Sequence, residues 1–206
     1  MGVFGFMPQE LKTSIAKSLV QARQALDDFL SNHANLEDIN SMAETLADCF
    51  RRGGKVLICG NGGSACDALH FSEECTGRFR KDRAALPVIP LMESGHLTCV
   101  ANDFGFEHVF ARGVEAYGKP GDVFMGISTS GNSPNVIRAS ETARKAGLKV
   151  LLFLGKDGGT LKGLGDGQIW VRCGTTERIQ EVHMTVLHIL VESVERSLFP
   201  ENYREE

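Results

Sequence analysis

"VLICGNGGSACDALHFSEECTGRF", residues 56–79, holds the turn on which the fold is decided. An apolar run ends at Gly60, the chain passes through Asn-Gly-Gly-Ser, and a helical pattern starts near Ser64. Val56, Leu57, Ile58 and Cys59 do not alternate with polar residues, so the strand they form is covered on both faces, as in a parallel sheet between helices. Such runs recur at 55–60, 85–92, 122–128, 149–155 and 168–173, separated by helical patterns at 64–79, about 94–117, 134–146 and 159–165. Strands alternating with helices predict an α/β fold, a three-layer αβα sandwich with a five-stranded parallel sheet.

Before the first strand lie two amphipathic helices. Leu11, Ile15, Leu19, Ala22, Leu26, Phe29 and Leu30 keep helical spacing in the first; Leu36, Ile39, Met42, Ala43, Leu46 and Phe50 keep it in the second. Residues 1–52 are expected to be a helical extension packed on the same domain as the α/β unit at 53–199. A last helix spans 176–199, with Ile179, Val182, Val186, Leu187, Leu190, Val194 and Leu198 on one side and Pro200 as its stop. Ile189 and Val191 widen that surface beyond what one sheet needs, which predicts burial against a partner subunit.

With 206 residues, 42% of them hydrophobic and 23% charged, the chain can bury a substantial core, which excludes disorder and coiled coil. Its net charge of −4 and the absence of any basic run longer than two argue against nucleic acid or an anionic membrane as the main partner. The six cysteines show no C-x-x-C spacing and read as reduced thiols in a cytoplasmic protein. The segment "MGVFGFMPQE" has no basic n-region, and Phe6 stands where a myristoylation signal needs Ser or Thr. No stretch is apolar for long enough to span a bilayer.

In an open parallel sheet, ligands bind at the carboxyl ends of the strands. Two turns there carry unusual chemistry. "GNGGSACD" places Gly60, Gly62 and Ala65 as in a dinucleotide fingerprint, but the next strand-end acid, Glu93, comes too late for one. "GISTSGNSPNV", residues 126–136, offers the hydroxyls of Ser128, Thr129, Ser130 and Ser133 ahead of a helix with Pro134 in its first turn. One hydroxyl suffices to cap a helix; four, together with free backbone N–H groups, suit a phosphate dianion.

On the helix after Ser64, His70, Glu74 and Arg78 follow at intervals of four and share a face. Such a stripe is commonly a solvated salt bridge, yet His at i with Glu at i+4 can also chelate a metal, and a carboxylate beside a sugar can transfer protons. The last helix adds Gln180, His183 and His188. Local spacing would pair Gln180 with His183 or Met184; His188, between Leu187 and Ile189, reads equally as a buried structural histidine.

Together "CGNGGSACDALHFSEECTGRFR", "ANDFGFEHVFAR", "GISTSGNSPNVIRA" and "RIQEVHMTVLHIL" resemble the phosphoheptose isomerase family of sugar isomerase (SIS) domains, from about residue 9 to 198. The resemblance implies a flavodoxin-like αβα sandwich and a homotetramer with active sites at subunit interfaces. It also implies an enzyme converting sedoheptulose 7-phosphate to D-glycero-D-manno-heptose 7-phosphate through an enediol, on the way to ADP-heptose and lipopolysaccharide. By motif, the substrate contacts fall on Asn61, Gly62, Gly63, Ser64, Glu74, Arg78, Asn102, Asp103, Ser128, Thr129, Ser130, Ser133 and Gln180. Glu74 and His188 become the acid/base pair, and His70, Glu74, Gln180 and His188 the ligands of one zinc ion per subunit. Gln180 and His188 are eight apart, roughly 12 Å along a helix, so their convergence on one ion demands extended side chains or a second subunit. Cys66 and Cys75 are expected to pack the helix rather than bind metal. Two other classes share such a fold: a non-catalytic adaptor of the kind that associates with the initiator DnaA, and a sugar-phosphate sensor. The adaptor needs neither base nor metal set.

Overall fold

The computed structural model describes residues 9–204, so the amino-terminal signals weighed above lie outside the described residues. Helices α1 (Gln9–Ser31) and α2 (Ala34–Arg51) precede β1 (Val56–Gly60) and α3 (Gly63–Thr76). There follow β2 (Val88–Pro90), α4 (Ser94–Phe104), α5 (Val109–Tyr117), β3 (Val123–Ser128), α6 (Pro134–Lys145), β4 (Lys149–Gly155), β5 (Gly167–Val171) and α7 (Thr176–Leu198). Short 3-10 turns occupy Phe106–His108 and Pro200–Tyr203.

All five strands pair in parallel, in the order β2-β1-β3-β4-β5. Successive side chains leave a strand on opposite faces, so the sheet divides two cores. Val56, Ile58, Met125, Ile127 and Phe153 pack with α1, α2, α3 and α7. Leu57, Cys59, Phe124, Leu152 and Leu154 pack with α4, α5 and α6. This is the expected three-layer sandwich. The strand order reverses between β1 and β3, and the crevice beyond their carboxyl ends is where such sheets hold ligands.

Four expectations are corrected. The pattern at 94–117 is two helices, because Gly105 takes φ +93° and ends α4. Residues 159–165 form turns, not a helix; Gly158, Gly159 and Gly163 all have positive φ. In α1, Ala25 and Phe29 are buried, while Leu11, Ile15, Leu19, Leu26 and Leu30 stay exposed, so most of its apolar stripe has no cover within this chain. In α7, Val191 is buried inside the chain and only Ile189 remains outside. Among the described residues the six cysteines are free, and no helix is long and apolar enough to cross a membrane.

Candidate active site

Helices α3 and α7 lie side by side and run the same way. Gly63, opening α3, sits against the Gln180 carboxamide near the start of α7, so tightly that a Cβ there would collide with it. Further along, His70 Nε2 and His188 Nε2 stand 3.0 Å apart. The register is nearly constant, and it brings together residues 118 apart in sequence. His70 Nε2 is also 3.3 Å from Glu74 Oε1, and the donor atoms of His70, Glu74 and His188 all lie within 4.8 Å of one another. Two donors each about 2.0–2.1 Å from a tetrahedral ion are themselves about 3.3 Å apart. The His70–His188 and His70–Glu74 separations are those of ligands on one zinc-sized ion, and all three donors lie close enough to converge on it. The Glu74 side chain is 18% exposed, so it is half-buried rather than sealed from solvent. The Phe79 ring packs against His188 with centroids 5.9 Å apart.

The hydroxyl turn lies at the carboxyl end of β3, beside the turn that opens α3. Ser128 finishes β3 and is buried; its Oγ lies 2.9 Å from Ser133 Oγ. Ser133 is the N-cap of α6 yet makes no side-chain bond to the helix, so its hydroxyl is not consumed by capping. Thr129 and Ser130 are partly exposed between them, and Ser130 Oγ accepts the Asn132 N–H at 3.1 Å. Asn132 Oδ1 in turn accepts both Thr160 N and Thr160 Oγ1 at 2.9 Å, which ties the turn to the loop after β4. The two strand-end turns are joined directly: Asn61 and Asn135 exchange side-chain amide bonds of 2.9 Å in both directions. A cavity of about 430 Å³ opens there, lined by Asn61, Ser133, Pro134, Asn135, Phe106 and Glu107. Asn135, Phe106 and Glu107 escaped the sequence reading; Asn135, inside the quoted "GNSPNV", could have been found as the second residue of the helix after the hydroxyl turn.

Of the other expected residues, Gly62 and Ser64 share the Asn61 turn and the rest lie apart. Gly62, the N-cap of α3, is exposed and Ser64 is buried behind the turn, its N–H on the Asn61 carbonyl. Arg78 is exposed beyond the end of α3. Asn102 and Asp103 are exposed on the last turn of α4 and bond each other at 2.8 Å. Cys75 is buried as expected, but Cys66 is exposed on the face that leads to His70 and packs nothing. The expected strand-end acid, Glu93, caps α4 through Gly95 N and His96 N, bonds that lower its pKa.

His183 turns away from the cluster. It is fully buried, edge-on to Phe153, with Nε2 3.0 Å from the Leu154 carbonyl. Burial pushes its pKa down to about 4, against the pull of that carbonyl. Between pH 6.5 and about 4 the unfolded chain binds a proton that the folded chain refuses, so His183 withdraws on the order of 3 kcal/mol as the pH falls through that window. Asp67, raised to about 6 by burial, acts in the opposite sense over nearly the same range, so global acid unfolding understates both. A ¹H NMR titration is expected to show one imidazole neutral down to about pH 4, its signal missing in His183→Gln. Ordinary titration of that ring near 6.5 would contradict the burial.

A model of the SIS domain matches residues 20–155, which gives the class: a sugar-isomerase-type α/β domain. The phosphoheptose isomerase of Fusobacterium nucleatum is 56% identical over 183 residues, 89% of this chain and 94% of that protein. The solved phosphoheptose isomerase of Neisseria gonorrhoeae superposes with a TM-score of 0.83 at 36% identity, covering 90% of this chain and 98% of that one. One from Francisella tularensis gives 0.86 at 32% identity, covering 92% and 100%. The chain belongs to the phosphoheptose isomerase family of SIS-domain proteins.

Proposed function

We propose that this chain isomerises sedoheptulose 7-phosphate to D-glycero-D-manno-heptose 7-phosphate. The observation that carries it is the meeting of His70 and Glu74, on the helix that starts at the Asn-Gly-Gly turn, with His188 of α7. His70 lies seven residues, about 10 Å, along α3 from Gly63. An extended seven-carbon chain with a terminal phosphate has that reach. Its phosphate would meet Ser128, Thr129, Ser130 and Ser133 with Asn61, Gly62 and Gly63, leaving C1 and C2 beside Glu74.

The reaction moves a proton from C1 to C2 and another from O1 to O2. Glu74 takes the C1 proton, giving an enediol, and returns it at C2; His188 serves the oxygens. Binding at the phosphate end fixes the reacting carbons in place. Zinc, held by His70, Glu74 and His188, would polarise the carbonyl and stabilise the enediolate; Gln180, the further donor the family resemblance implies, would have to leave its place against Gly63 to join them. Glu74 has one oxygen for each role. His188 presents only Nε2 to the cluster, so ligation and proton transfer compete at that atom.

Asn102, Asp103 and Arg78 point to a site completed by another subunit, since none touches the cluster of its own chain. The uncovered Leu11, Ile15, Leu19 and Leu30 of α1, with the exposed Phe104 and the cavity-lining Phe106, support the homotetramer. Cytoplasmic location and a role in making lipopolysaccharide heptose complete the proposal. The adaptor alternative is not favoured: it has no use for Glu74 and two imidazoles in one cluster. Incubating the protein with sedoheptulose 7-phosphate, with and without a chelator, tests the activity. Aldose product without chelator is expected, and no product in either arm would remove the enzyme.

A further inference from the structure

We infer that Arg83, Glu195 and Tyr203 form a buried positioning unit that sets Glu74 and His188 in register. It rests on the reading above that these two residues carry the site. The Arg83 and Glu195 side chains are each 1% exposed, and Arg83 Nε donates to Glu195 Oε1 at 2.7 Å. The rest of the guanidinium serves the end of α3. Nη2 donates to the carbonyl of Glu74 itself at 2.8 Å, and Nη1 donates to the carbonyls of Cys75 at 2.7 Å and Gly77 at 2.9 Å. The last carbonyls of a helix have no partner within it. Here Gly77 N covers Glu73, Arg83 covers Glu74, and Arg83 and Leu86 N share the Cys75 carbonyl. The second Glu195 oxygen is held by Tyr203 Oη at 2.6 Å, from the 3-10 turn after α7.

Glu195 sits seven residues, two helical turns, beyond His188 on α7. One guanidinium therefore grips the backbone of the site carboxylate on one helix and a carboxylate on the helix of the site imidazole. A buried ion pair is a poor stabiliser, because desolvation offsets its attraction. What the planar fork adds is geometry, which a lysine ammonium cannot reproduce. Partners that orient ligands without touching the metal commonly change affinity or activity 10–100-fold when altered.

The test uses the full-length chain as Arg83→Lys, Glu195→Gln and Tyr203→Phe. Zinc affinity of the metal-stripped protein is measured by competition with a chromophoric chelator, and kcat and KM are measured separately. Arg83→Lys and Glu195→Gln are expected to weaken zinc binding about tenfold or more and to lower kcat comparably. KM should stay within about twofold, because the phosphate turn is untouched. Tyr203→Phe, which loses one bond at the rim, should shift both in the same direction by about threefold. Folded variants that melt earlier but keep wild-type zinc affinity and kcat would overturn the inference as merely structural. Should the first two variants fail to fold, unchanged zinc affinity in Tyr203→Phe alone overturns it. The zinc arm is read whether or not sedoheptulose 7-phosphate proves to be the substrate, so a failed activity and a failed positioning role are distinguishable.

Discussion

Glu74→Gln is expected to lower kcat by about 10²–10⁴, the range supplied by one positioned acid/base group. The substitution keeps the shape of the side chain and removes its ability to take a proton. Glu74 is mostly buried beside His70 Nε2, so no solvent carboxylate can substitute for it. The proposed phosphate contacts lie about 10 Å or more from Glu74 along α3 or on other elements, and substrate affinity, measured by calorimetry, should stay within a few-fold. Zinc affinity should fall as well, since a neutral amide replaces a charged ligand. A variant with the wild-type rate would show that the base lies elsewhere.

Gly131→Ala should act through the hydroxyl turn. Gly131 has φ +65°, and a Cβ there would overlap the Gly158 carbonyl, which is backbone and cannot swing aside. Its own N–H donates to the Ser128 carbonyl at 3.1 Å, and its carbonyl accepts Leu161 N at 3.0 Å, so the turn is fixed on both sides. Left-handed strain of roughly 1–2 kcal/mol adds to the overlap, and a loss of at least about 3 kcal/mol is expected. For a domain of this size that is a fall in Tm of roughly 6–12 °C. The surviving fold would have displaced Ser128, Ser130 and Ser133, so KM should rise sharply. A Tm within about 2 °C of wild type and an unchanged KM would contradict this.

Strands were legible because a two-sided burial pattern is written in consecutive residues: Val56 to Cys59 and Val150 to Leu154 are apolar without a break. The hydroxyl turn was legible for the same reason, being local. The meeting of His70 with His188 was not, because it depends on α3 and α7 lying parallel, which no spacing within either helix records. Family resemblance named His188, and the structure gives the physical reason for preferring it: His183, five residues earlier, points into the sheet. Gln180 illustrates the limit of linear spacing, since its carboxamide rests on Gly63, two turns from the imidazoles. The glycines at 158–165 were hidden by apolar neighbours that mimic a helix. Leu11, Ile15 and Leu19 looked like core because sequence cannot say whether a stripe is covered by its own chain or another. Arg83 and Glu195, 112 residues apart, gave no local signal at all.

The most direct measurement follows sedoheptulose 7-phosphate in D₂O by ¹H NMR in the presence of the protein. Proton transfer by Glu74 predicts aldose product, with deuterium at C2 to the extent that the carboxyl proton exchanges with solvent before it is delivered. No product and no exchange, or turnover at the wild-type rate in Glu74→Gln, would contradict the assigned chemistry.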